Sequence, residues 1–161
     1  PTILLSHNGE RWIPVHGIVP HSQVKDTIDK INEYFKKNKD TLANNNIKWA
    51  VTLIPAGSSA MLIEPNIYWE DSIPSMMESY LPQEYFKNLN RYPNDPQKKK
   101  IVNDMRVDLV KIFNNSYGSH MQIGRFYPYF DTRNDDIKSL LCSLKKHVDP
   151  KNLINPGSLY F

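Results

Sequence analysis

Val24, Ile28, Ile31 and Phe35 stand at i, i+4, i+7 and i+11, the spacing of one helical face, and the positions between them are mainly polar or charged. Ser22 offers an N-cap ahead of this stripe and the Asn44-Asn45-Asn46 cluster closes it, so the pattern predicts a helix running to about Leu42. Ile47, Trp49, Val51 and Leu53 then alternate with Lys48, Ala50 and Thr52, the period of a half-buried strand. Pro55-Ala56-Gly57-Ser58-Ser59 turns the chain into a second strand from Ala60 to about Trp69, which makes a hairpin. Ahead of the helix, residues 11–20 favour β structure but carry Pro14, Gly17 and Pro20, which predicts an edge or bulged strand.

Between Asp71 and Pro96 no period is sustained, and four prolines interrupt the chain. The expectation is an irregular segment with a short helix around Ser75–Tyr80, of the length that forms lids and binding loops. A second long helix is predicted from about Gln97 to Asn115, with Val102, Met105, Leu109 and Ile112 on a core-facing stripe. His120 to Tyr127 reads as a strand. A third helix, about Asp135 to His147, carries Ile137, Leu140, Leu141, Leu144 and Val148. The order βαββαβα predicts an α+β fold of the ferredoxin-like split βαβ kind, an antiparallel sheet with helices packed on one face.

A length of 161 residues suits one domain, 1–161, able to bury roughly 70% of its unfolded surface without covalent staples. The lone Cys142 forms no intramolecular disulfide and no CxxC pair, so a reducing compartment is permitted. No apolar run approaches the roughly 20 residues that cross a bilayer, and no signal peptide opens the chain; the expectation is a soluble, cytoplasmic protein without a membrane span. The chain begins at Pro1, which suggests a piece of a longer protein. Net charge is +3, and its densest basic run, Lys98-Lys99-Lys100, reads as a solvated helix face, so no nucleic-acid partner is expected.

Three constellations can carry chemistry. Trp12-Ile13-Pro14-Val15-His16-Gly17-Ile18-Val19-Pro20-His21 holds two imidazoles, groups that transfer protons, bind metals or anchor flavins. At i, i+5 on a strand they point to opposite faces, which argues against a two-histidine metal site; no metal is expected, and either histidine can equally be hydrogen-bonded structure. In Gln122-Ile123-Gly124-Arg125-Phe126-Tyr127-Pro128-Tyr129, Arg125 offers a planar fork for a carboxylate or phenolate, or else stacks on an aromatic neighbour at the surface. Tyr127 shares its strand face and can donate a hydrogen bond, although tyrosines in such a string more often pack. The third is the tail His147-Val148-Asp149-Pro150-Lys151-Asn152-Leu153-Ile154-Asn155-Pro156-Gly157-Ser158-Leu159: a helix exit, an Asp-Pro turn, an Asn-Pro-Gly turn and a short extended end.

This tail resembles the closing segment of the flavin-linked oxidases of the vanillyl-alcohol oxidase and p-cresol methylhydroxylase superfamily. The likeness widens through Trp12, Pro14, His16, Pro20 and Ser22, similar to an early strand of that family's cap domain, and through Arg125, 24 residues before Asp149, similar to its substrate-site arginine. What the resemblance implies is the C-terminal cap, or substrate, domain of an FAD-dependent oxidoreductase, inactive without its own N-terminal FAD-binding domain. It implies FAD as cofactor and hydride transfer to the flavin from a small-molecule substrate, an alcohol or alkylphenol as in 4-cresol dehydrogenase. Arg125, Tyr127 and His16 would then be catalytic, and Asn155 and His21 would contact the cofactor, with His16 or His21 near the position of covalent flavin attachment. A homodimer is allowed. Gly124 stands where phenol-oxidising members have tyrosine before the arginine. The Gly-Asp-Gly-Asn signature of the D-2-hydroxy-acid dehydrogenases, whose cap is the alternative, is absent, as are GxGxxG and P-loop motifs. A ferredoxin-like RNA-binding or regulatory module is the rival of another class.

Overall fold

Pro65 shapes the sheet. In the computed structural model, which describes Leu5 and residues 8–160, two short strands, β1 (Arg11–Pro14) and β2 (Gly17–Pro20), lie end to end. Next come β3 (Lys48–Ala56) and β4 (Ala60–Trp69); β4 is central, pairing antiparallel with β3 on one side and with β1 and β2 on the other. Pro14 faces Asn66 and Gly17 faces Ile63, so a single register runs through both short strands. Val15 still donates its N–H to the Pro65 carbonyl at 2.9 Å, but proline has no N–H to return, and the ladder lapses over Val15 and His16. The broken strand expected over 11–20 therefore owes its break to a proline in the neighbouring strand.

Side chains alternate across this sheet. Ile63, Pro65, Ile67 and Trp69 of β4, with Val19 of β2, are buried on one face. Helix α1 (Val24–Lys37) covers that face with Ile31 and Phe35, the Phe35 ring stacking on Trp49 with centroids 4.1 Å apart. The chain enters α1 through a 3-10 turn, His21–Gln23, because the His21 N–H extends the ladder to the Ser59 carbonyl; Gln23, not Ser22, takes the N-cap position. Asn38 divides the predicted helix into α1 and the short α2 (Lys39–Asn44), its side-chain amide donating to the Tyr34 carbonyl at 2.8 Å.

The segment after β4 carries the short helix expected at Ser75–Tyr80 and a second one after it. Helices α3 (Ser75–Tyr80) and α4 (Gln83–Phe86) fold over a small core of Leu5, Met77, Leu81 and Phe86, and Arg91 lies over the Phe86 ring while pairing with Glu78. Helix α5 (Pro96–Asn114) starts at an Asp95 cap with proline in its first turn, and buries Val102, Met105, Leu109, Val110 and Phe113. Of the lysine run opening it, Lys99 and Lys100 are exposed as expected, Lys99 reaching Asp71 at 3.4 Å, while the Lys98 side chain is largely buried near Glu70 and Asp95.

Residues 1–118 and 119–161 form two compact units. In the second, helix α6 (Asp135–Val148) starts at Asn134, whose side chain accepts the Ile137 N–H at 2.9 Å. Ile137, Leu140, Leu144 and Val148 on this helix are exposed. The strand expected over 120–127 does not form: the Gly124 carbonyl accepts the Leu159 N–H, and Tyr129 turns back onto the Tyr127 carbonyl ahead of Pro128. The α+β class with an antiparallel sheet stands as read from the sequence, but the fourth strand is the split-off β2.

Candidate functional site

The sheet face opposite α1 carries an aromatic and amide array. Trp12 and Tyr68, paired in register, stack with centroids 6.5 Å apart and planes 27° from parallel. The Trp12 Nε1–H donates to Asn66 Oδ1 at 2.8 Å, and Asn66 Nδ2 donates to Thr52 Oγ1 at 3.0 Å and to the Glu64 carbonyl at 2.9 Å. The buried Asn66 amide thus uses both its donors and its acceptor, which fixes the indole in place. Glu64 lies two residues before Asn66 on the same face, and burial pushes its carboxyl above the ordinary 4.5. The bracketing pairs put buried His16 opposite Glu64 in register. Chemically, this face can hold a planar ring against Trp12 and Tyr68 and offers a carboxyl poised for proton transfer.

Arg125, Tyr127 and Asn155 belong to the second unit. The sequence reading put Arg125 and Tyr127 on one strand face; with no strand there, their environments differ, Arg125 being exposed while Tyr127 is buried and stacked on His120 at 4.4 Å. Arg125 Nη2 donates to the Pro156 carbonyl, so the arginine motif and the Asn155-Pro156-Gly157 turn are two sides of one small structure. Asn155 and Gly157 both take positive φ, 46° and 78°. Asp149 pins the same turn: it accepts the Leu153 N–H at 2.8 Å, the Ile154 N–H at 2.9 Å and the Lys145 ammonium at 2.5 Å.

Lys145, followed by those two backbone amides, draws the Asp149 carboxyl down to about 2. A lowered folded-state value means that the clasp is complete above the ordinary 3.8 and is lost as pH falls toward 2. Amide exchange at Leu153 and Ile154 is accordingly expected to stay slow down to about pH 3 and to accelerate at any pH in Asp149→Ala; equal exchange in variant and parent would refute the clasp.

His16 is buried while His21 is exposed on the 3-10 turn, available to a partner group; Asn155 is exposed as well. As a test of fit to FAD, His21 of the first unit offers an exposed imidazole and Asn155 of the second an exposed amide, and no glycine-rich turn of backbone N–H groups of the kind that cradles a pyrophosphate accompanies either. Glu64, Asn66 and Tyr68 were missed by reading β4 only as a hairpin arm. Their signal was two polar residues at i, i+2 in an otherwise apolar strand, which alternation puts on one face. Among the described residues, no group of three or more His, Cys, Asp or Glu could hold a metal ion, and no helix is long and apolar enough to cross a membrane. In comparisons with known proteins, no family model, no curated protein and no solved structure matches this chain.

Proposed function

We propose that this chain is the substrate-side cap domain of an FAD-dependent oxidoreductase acting on a small alcohol or alkylphenol. The observation that carries the reading is the sheet face opposite α1, where the half-buried Trp12–Tyr68 stack is locked by the buried Asn66 amide beside a carboxyl with a raised pKa. A bound FAD, held by a separate N-terminal domain, would supply the hydride acceptor. The chain's own part is positioning and proton transfer: Trp12 and Tyr68 orient a planar ring, and a Glu64 carboxylate oxygen takes the hydroxyl proton as the carbinol carbon is oxidised. The resemblance gives Arg125 the substrate's negative charge, and its exposed guanidinium has donors beyond the one engaged by Pro156.

The visible spectrum of the full-length gene product, before and after acid precipitation, tests this reading. Flavin bands support it, and colour retained in the precipitate supports a covalent link, for which His21 is the exposed imidazole and His16 the buried one. A folded product that takes up no FAD rejects it and favours a binding module. In the flavin-loaded protein, Glu64→Gln is expected to lower kcat/KM by about 10²-fold or more, and Arg125→Ala by a comparable factor, with flavin content unchanged. Unaltered turnover in either variant removes that residue from the proposed reaction.

A further inference from the structure

The outer edge of β3 is the most unusual surface of the first unit. Hydrogen bonding to β4 alternates along a strand, and because Pro65 turns its carbonyl toward Val15, the neighbouring residues Glu64 and Asn66 direct their backbone groups to Thr52 and Ala50. Trp49, Val51 and Leu53 therefore point their N–H and C=O groups away from the sheet, where among the described residues no strand pairs with them. Native edges are ordinarily guarded by charge, by shortness or by a covering element. This one is nine residues long, has no charged residue after Lys48, and leaves Trp49, Leu53 and Ile54 37%, 48% and 49% exposed. Only Pro55, which lacks the outward N–H of its position, blunts one end.

We propose that β3 pairs with β3 of a second copy of this chain, antiparallel about a twofold axis at Val51, so that the two sheets become one. The argument for a second copy over another partner is self-complementarity. Centred on Val51, the pairing sets Trp49 opposite the partner's Leu53 and Val51 opposite the partner's Val51, all on the face that α1 covers, and on the other face Ala50 opposite the partner's Thr52. The three outward-facing residues of each strand would exchange about six backbone hydrogen bonds across the dyad. Aromatic–aliphatic and β-branched pairs of this kind are the favourable cross-strand combinations, and no like charges meet. An isologous contact of this size closes at two copies, because each edge is consumed by the other.

Sedimentation velocity on the purified protein from roughly 1 to 100 µM, together with amide exchange, tests the pairing. The expected result is a concentration-dependent dimer in which the amides of Trp49, Val51 and Leu53 gain protection as dimer forms. Val51→Pro removes an outward N–H without taking a bond from the β3–β4 ladder, and Leu53→Lys places a charge at the edge; both are expected to give monomers. Leu53→Lys, at a half-exposed site, is expected to retain the parent's circular dichroism and melting temperature and so guards against a folding defect in the proline variant. A parent that stays monomeric across this range, a dimer whose three outward amides exchange freely, or a dimer that survives Leu53→Lys overturns the proposal.

Discussion

Replacing Asp71 by alanine is expected to destabilise the protein by about 3 kcal/mol, as measured by urea unfolding. The carboxylate is fully buried and joins both ends of the 71–96 segment. Its Oδ1 accepts the Ser72 N–H at 2.7 Å and the Asp95 N–H at 3.0 Å, while Oδ2 accepts the Trp69 Nε1–H at 3.3 Å and faces Lys99 at 3.4 Å. Alanine strands these donors and leaves Lys99 and the half-buried Arg11 without their shared counter-charge. Asp71→Asn keeps one oxygen for the two backbone amides, and about half the loss is expected. A cost below about 1 kcal/mol for Asp71→Ala would show that the segment is held by its own core of Met77, Leu81 and Phe86 instead.

The same carboxylate gives a pH dependence. Burial alone raises an aspartate, but here the Asp95 and Ser72 amides, the Trp69 indole and Lys99 outweigh it and hold Asp71 below the ordinary 3.8. A lowered folded-state value means that its contribution is complete above the unfolded-state pKa and disappears as the pH falls through the folded one. Stability is thus expected to drop below about pH 4 in the parent, and to drop less in Asp71→Asn.

Gly17→Ala is expected to cost about 2–3 kcal/mol, a large effect for one methyl group. Gly17 does not take a left-handed backbone; what it supplies is space, since a Cβ there would lie 2.3 Å from a ring carbon of the fully buried Phe113. That close approach lets α5 seat against β2. Phe113→Ala is expected to cost about 4 kcal/mol by leaving a cavity. In the double variant the alanine at 17 meets an emptied site, so the combined cost is expected to fall short of the sum by at least about 1 kcal/mol. Strict additivity would mean that the ring and the glycine are not in register in solution.

Periodicity was legible wherever one surface of an element decides its fate. Val24, Ile28, Ile31 and Phe35 announce α1, and the alternation around Trp49 announces β3, because those side chains meet a single partner layer at the helical or strand repeat. Residues 120–127 misled for the opposite reason. Their β-favouring aromatics are used locally, Tyr127 on His120, while the Gly124 backbone pairs with the tail, a choice that neighbouring positions do not encode. Of the candidate residues, Trp12 and His16 in the first unit and Arg125 in the second were visible as unusual residue types near turns, but Asn66 and Glu64 acquire meaning only from the strand across which they sit.

The amino-acid sequence by itself determined the α+β class, the hairpin and the Asp-Pro and Asn-Pro-Gly turns of the tail, because each follows from local dihedral preference or from a repeat of apolar positions. Only the tertiary structure decided that Pro65 interrupts its neighbour's ladder, that Asn66 locks Trp12, that Arg125 meets Pro156, and that among the described residues no strand pairs with the outer edge of β3. These rest on pairings between residues far apart in the chain, where the energy depends on register and desolvation, and no single segment carries that information.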